Sequence, residues 1–185
     1  MTYDKIKELQ SSDSIDRLNV ISPEEYHEKF PHMSYGVLGH CDSEGNIYVK
    51  ERSESDIKHI TVHETMHLAS ESEVMHEQDG YIYISGLRET KVKDGVIVSD
   101  IDQGTNEGTT EMYTLRELME KGEDEAAYSV SAYSESRMWM ERMEGLVGEK
   151  KLAEAYFGGR KIELEREFNK LNNNEKNVHK IVNYK

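Results

Sequence analysis

Within the stretch HITVHETMHLAS, residues 59 to 70, two histidines flank a glutamate. His63 and His67 lie four positions apart, and on a helix such positions share a face with Cβ atoms about 6 Å apart. Both imidazoles can therefore aim a nitrogen at one cation. Glu64 falls about 100° further round the helix, where it can face a water beside that cation without ligating it, the place of a general base. The ordinary alternative is a pair of satisfied core histidines, since chance alone yields this pattern in about one chain in tens to a hundred. Ile60, Val62, Met66 and Leu68 surround the trio with apolar residues, as in a buried helix with one functional stripe rather than a solvated surface helix.

A catalytic zinc takes three protein ligands and leaves one position for water, so a third His, Glu or Asp is expected downstream. The stretch NEGTTEMYT, residues 106 to 114, carries Glu107 and Glu111 four apart on an expected helix. One carboxylate of such a pair can bind the cation while the other accepts a hydrogen bond from a ligating histidine. Glu73, Asp100, Asp102 and Glu111 compete with Glu107 for the third place. The plain reading of the pair is an acidic helix start favoured by the helix dipole.

Together the two motifs resemble the gluzincin metallopeptidases, the thermolysin-like and aminopeptidase-like zinc enzymes, in which an HExxH helix precedes a helix bearing Asn-Glu and a further acidic residue. The matching residues are His63, Glu64 and His67, then Asn106, Glu107, Gly108 and Glu111, and the likeness covers these two helices, about a quarter of the chain. It implies a zincin-like fold with His63, His67 and Glu107 as ligands of Zn2+, Glu64 as general base and Glu111 as hydrogen-bond partner of a ligand. The implied reaction is hydrolysis of a peptide bond in a peptide or protein substrate. The spacing departs from the family: 40 positions separate His67 from Glu107, against about half that in the thermolysin-like pattern, and residues 81 to 101 fill the extra length. Glu73 occupies the third-ligand place of the metzincin pattern HExxHxxGxxH, but Ser70 stands where that pattern has its chain-turning glycine and Glu73 where it has histidine.

The resemblance also implies a strand beside the motif helix that pairs with an extended peptide, for which Ile47 to Lys50 is the counterpart. A donor for the developing oxyanion is needed as well. Tyr128 and Tyr133 are the first candidates and Arg88 a weaker one, although two tyrosines five apart on an amphipathic helix ordinarily serve the core with one wet end. His59, one turn before His63, is expected to be solvated.

These groups need elements to hold them. Residues 3 to 30 read as helix in two pieces, with Ile6 and Leu9 at helical spacing and a start at Ser22-Pro23-Glu24-Glu25. YGVLGHCDSEGNIYVKE reads as a hairpin. Ser53 or Ser55 caps the motif helix, in which Ile57, Ile60, His63 and His67 form one stripe. A second hairpin turns at Lys93-Asp94-Gly95 within residues 81 to 101. Helices are expected over about 106 to 121, 124 to 147 and 149 to 172, and 175 to 185 reads as a frayed tail. The expected fold class is α+β, a single domain over 1–185. One small, largely antiparallel sheet built from both hairpins packs on the motif helix, within residues 1–103, and 104–174 form a helical half.

Composition bounds the function. The chain has 185 residues, 36% hydrophobic and 32% charged, with 37 acidic against 23 basic residues and a formal charge of −14. That balance argues against nucleic acid as partner, no apolar run approaches the roughly 18 residues of a transmembrane helix, and Cys41 is the only cysteine. A soluble, cytoplasmic protein is the expectation, with no secretory signal visible at residues 1 to 9. Two non-enzymatic alternatives stand beside the peptidase. One is a zincin-like regulatory or partner-binding protein that keeps its metal for stability, and the other is a metal-free helical domain whose acidic surface binds a basic partner. Intact Glu64 favours the enzyme, because a structural zinc site needs no base and is closed by a fourth protein ligand.

Overall fold

In the computed structural model, which describes residues 17–42, 44–70, 72–124 and 133–174, seven strands and six helices form an α+β arrangement with two separate sheets. The first sheet has order β1-β3-β2. Strand β1 (Leu18–Ile21) runs parallel to β3 (Ile47–Lys50), and β2 (Gly39–Cys41) runs antiparallel along the other side of β3. All four residues of β3 are buried. Within the expected helical region 3 to 30, Leu18–Ile21 is therefore a strand, because pairing with a buried partner 29 residues away outweighs local helical spacing. Ile6 and Leu9 lie outside the described residues. Helix α1 (Pro23–Lys29) starts as expected, with Ser22 Oγ accepting the Glu25 N–H at 3.1 Å and Pro23 at the first helical turn.

Helix α2 (Glu54–Ala69) carries the two histidines. Of the two candidate caps it is Ser53 that accepts from the Asp56 N–H, at 3.2 Å. One flank of α2 buries Ile60 against Ile47 and Val49, with Ile57 and Leu68 at the margin. The other flank sends Met66 and Ala69 into a core with Leu87, Met112, Leu152 and Tyr156. Burying Ile60 and Met66 stabilises the fold by about 1.5–3 kcal/mol each, and the polar stripe between the flanks is what remains for chemistry. The helix stops at Ser70, whose N–H bonds the Met66 and His67 carbonyls and whose Oγ donates to the His67 carbonyl at 2.7 Å. Ser70 is extended (φ −67°, ψ 141°), so no glycine is required there and the chain runs straight into a strand.

That strand is β4 (Ser72–Glu77), followed by β5 (Gly80–Ser85), β6 (Arg88–Lys93) and β7 (Val96–Ile101) in one antiparallel meander. The expected hairpin is β6–β7, with Lys93 facing Val96. Positive φ at Asp94 (50°) and Gly95 (76°) gives the two-residue turn whose twist matches the flanking strands. The single sheet expected from both hairpins is thus corrected to two sheets, since the residues following the motif helix form two further strands that pair with this hairpin and leave the first sheet closed on β1.

Helix α3 (Gln103–Glu120) buries Asn106, Thr109, Thr110, Glu111 and Thr114. Its threonines satisfy themselves: Thr109, Thr110 and Thr114 each donate to the carbonyl four residues earlier at 2.8 Å. Gly108 lets α4 (Ser134–Val147) approach closely, because a Cβ there would lie 2.5 Å from the Ser136 carbonyl carbon. The helix expected over 124 to 147 begins at Ser134 among the described residues, and Tyr128 lies outside them. The helix expected over 149 to 172 is two, α5 (Glu149–Phe157) and α6 (Lys161–Asn174), parted at Gly158-Gly159-Arg160. Lys161, at the start of α6, is buried and pairs with Asp102 at 2.9 Å. Residues 175 to 185, expected to fray, lie outside the described set. Among the described residues no helix is long and apolar enough to cross a membrane.

Candidate metal centre

His63 and His67 point from one face of α2 toward Glu107 on the facing α3. Glu107 Oε2 lies 3.2 Å from His63 Nε2 and 3.3 Å from His67 Nε2, and the donor atoms of the three residues all lie within 4.8 Å of one another. A tetrahedral zinc with bonds of about 2.0–2.1 Å holds its donors about 3.3 Å apart, so the two N···O separations suit such an ion. These three form the group among the described residues that could hold a metal ion.

The far nitrogens of the rings decide whether that geometry can work. His63 Nδ1 donates to Glu111 Oε2 at 3.1 Å. Thr110 Oγ1, whose proton goes to the Asn106 carbonyl, can accept from His67 Nδ1 at 3.4 Å and from the Tyr156 hydroxyl at 2.6 Å. With both Nδ1 atoms engaged as donors on the far side, the Nε2 atoms are the ring nitrogens that face Glu107 and can turn to a cation once the proton they share with it is displaced. The donor set therefore fits a metal. Thr110 and Tyr156 had no part in the sequence analysis. Thr110 could have been found, being three positions from Glu107 on the same helical face, whereas nothing in the sequence links Tyr156 to His67.

Burial pushes the Glu111 carboxyl up, but hydrogen bonds from His59 and His63 outweigh it and hold the group at about 2. Burial likewise opposes the charge on Glu107, and hydrogen bonds from His63 and His67 keep it far below the usual carboxylate range. For His63, burial lowers the pKa while hydrogen bonds to Glu107 and Glu111 raise it further, to about 9. His63 without metal is thus an imidazolium at neutral pH, and an ion takes the place of its Nε2 proton. Zinc uptake is expected to release a proton, and apparent affinity to rise by up to about tenfold per pH unit until pH reaches about 9. Isothermal titration in buffers of different ionisation enthalpy measures that release. Glu111→Gln, which weakens the orientation of His63, is expected to cost about 10–100-fold in zinc affinity, read by competition with a chelating dye.

His59 is not solvated as expected. Its Nε2 lies 3.0 and 3.2 Å from the two Glu111 oxygens, so Glu111 bridges two turns of α2. The competing third ligands are occupied elsewhere or carried away. Asp100 is held by Arg88 at 2.8 and 2.6 Å, Asp102 pairs with Lys161, Glu111 takes the far side of His63, and Glu73 rides on β4, exposed.

Glu64 is buried at 8% exposure and shares a cleft of about 490 Å³ with His67, Glu107, Cys41 and Arg88. Burial raises its pKa, with His63 and His67 pulling the other way, and the Cys41 backbone N–H donates to it. The Cys41 thiol is pushed up to about 12 by burial and by Glu64. Cys41, read from the sequence only as an unpaired cysteine, thus borders the general-base candidate. Tyr133 caps α4 and lies parallel to the His63 ring, with centroids 5.5 Å apart and planes 15° apart. Its phenol, hydrogen-bonded to Glu107, is pushed up to about 12 by burial and by Glu107 and Glu64.

The expected peptide-pairing strand is corrected. Ile47–Lys50 is the centre of its sheet, with β1 and β2 on its two sides. Strand β2 borders the cleft instead. Lys50 N–H bonds the Leu38 carbonyl and Asp42 N–H the Asn46 carbonyl, so alternation turns the backbone groups of Gly39 and Cys41 away from β3. Asn106 fixes the opposite wall, its Oδ1 accepting the Leu87 N–H at the β5–β6 turn at 2.9 Å. Compared with protein-family models, curated proteins and solved structures, the chain gives no match.

Proposed function

We propose that the protein is a zinc-dependent peptidase of gluzincin type with a zincin-like active site. The observation that carries this reading is the buried carboxylate of Glu64 beside a three-donor group that opens onto a cleft. A purely structural zinc is closed by a fourth protein ligand and has no use for a base. His63, His67 and Glu107 would hold the ion, and two nitrogens with one carboxylate oxygen suit zinc. Bound there, Zn2+ supplies Lewis acidity, polarising the scissile carbonyl and lowering the pKa of a water toward about 7.

The chain's own residues supply the rest. Glu64, a carboxylate buried beside the three donors, would take the proton of the attacking water and return it to the departing amine. The Cys41 N–H holds the carboxylate in place. Tyr133 keeps its proton at neutral pH and would donate it as a hydrogen bond to the developing oxyanion once Glu107 is engaged by the metal. The outward backbone groups of Gly39 and the Cys41 carbonyl on β2, the Cys41 N–H being taken by Glu64, would offer main-chain pairing to an extended substrate. Incubation with a quenched-fluorescent peptide library tests the reading. Cleavage is expected that 1,10-phenanthroline abolishes and added Zn2+ restores, and a zinc-loaded chain that cleaves no peptide would overturn the proposal.

A further inference from the structure

The meander between the two motif helices does more than fill sequence. In its register Tyr83 faces Thr90 and Ser85 faces Arg88, so these four side chains share one sheet face, and all four line the cleft that holds Glu64 and His67. Among the described residues lining that cleft, Arg88 is the one lysine or arginine. Its Nε and Nη2 grip the two Asp100 oxygens at 2.8 and 2.6 Å, and Thr90 Oγ1 lies 3.4 Å from the same carboxylate. This side-on fork fixes the guanidinium plane. A guanidinium carries five N–H donors, and among the described residues no acceptor engages Nη1. Arg88 therefore presents a second two-pronged edge, Nη1 with the other Nη2 hydrogen, on a side chain one-third exposed.

We propose that Arg88 anchors a carboxylate of the substrate through this second edge, an inference that rests on the peptidase reading above. A carboxylate offers the paired oxygens that the fork matches, whereas a main-chain carbonyl offers one. Asp100 orients Arg88 and is a positioning residue. A divalent ion at the three donors balances Glu64 and Glu107 and the Arg88–Asp100 pair is neutral, which leaves Asp42 in the cleft lining and Glu111 behind His63 as the negative charges that the Arg88 fork must outweigh. The carboxylate can be a peptide's C-terminus or an acidic side chain.

The test is binding of three dansyl peptides, measured by fluorescence anisotropy on the cleavage-silent Glu64→Gln protein, both zinc-loaded and metal-free. The peptides are dansyl-Ala-Ala-Ala free acid, the same peptide as its amide, and dansyl-Ala-Glu-Ala amide. One carboxylate peptide is expected to bind about 10–100-fold tighter than the neutral amide, and which one does so identifies the source. Arg88→Ala, and Arg88→Lys, which keeps the charge but loses the fork, are expected to erase that preference while leaving neutral-amide binding unchanged. Equal binding of all three peptides, or a preference that survives Arg88→Ala, overturns the proposal. Should Arg88→Ala fail to fold, Arg88→Lys and Asp100→Asn decide the matter by the same readout. Absence of zinc and of any hydrolysis would sink the peptidase reading, while the metal-free binding arm still reports on Arg88 separately.

Discussion

Glu64→Gln is expected to lower peptide hydrolysis by about 10²–10⁴-fold while zinc stays at about one ion per chain. Glutamine fills the same volume and can still accept the Cys41 N–H, so the cleft keeps its shape, but it cannot take up a proton. The substitution also removes a buried carboxylate whose ionisation is opposed by desolvation, so the melting temperature should hold or rise. A second signature separates the base from a bystander. Where Glu64 is the base, its protonation sets the acidic limb of kcat/KM in the unmodified protein, with activity lost as pH falls through it. That limb should be absent from the residual activity of the variant. Unchanged hydrolysis in Glu64→Gln would remove Glu64 from the mechanism.

His67→Ala is expected to lose both metal and activity. A structural zinc is bound by about 10–16 kcal/mol through four ligands, so one ligand carries about 2.5–4 kcal/mol, a factor of about 60 to 700 in affinity. The variant should emerge from purification with little zinc and show hydrolysis near background. The folding penalty should be modest, since His67 lies on the polar stripe of α2 and the apolar flanks through Ile60 and Met66 are untouched. Circular dichroism checks that point. Full zinc occupancy in His67→Ala would mean that the ion sits elsewhere.

What could be read from the sequence was what depends on local geometry. The His63–His67 spacing, the place of Glu64 and the Glu107–Glu111 pair all follow from helical periodicity, and the structure brings these residues face to face across α2 and α3. Non-local pairing was not legible. Nothing around Leu18–Ile21 announces a parallel partner at Ile47–Lys50, and this pairing moves the open edge beside the cleft from β3 to β2. The same blindness hid Cys41, which meets Glu64 only because β2 lies along the motif helix, and Tyr156, which reaches Thr110 from a helix 46 residues away. The competing third ligands separated only once the register of the meander was known, since it is that register that gives Asp100 to Arg88.

Anomalous diffraction at the zinc absorption edge, from crystals of the protein purified without added metal, shows whether His63, His67 and Glu107 hold the ion. One peak is expected about 2.0–2.2 Å from His63 Nε2, His67 Nε2 and a Glu107 carboxylate oxygen, with no other protein ligand. A zinc peak placed on other residues, or crystals without zinc at this site even after soaking, would contradict that placement.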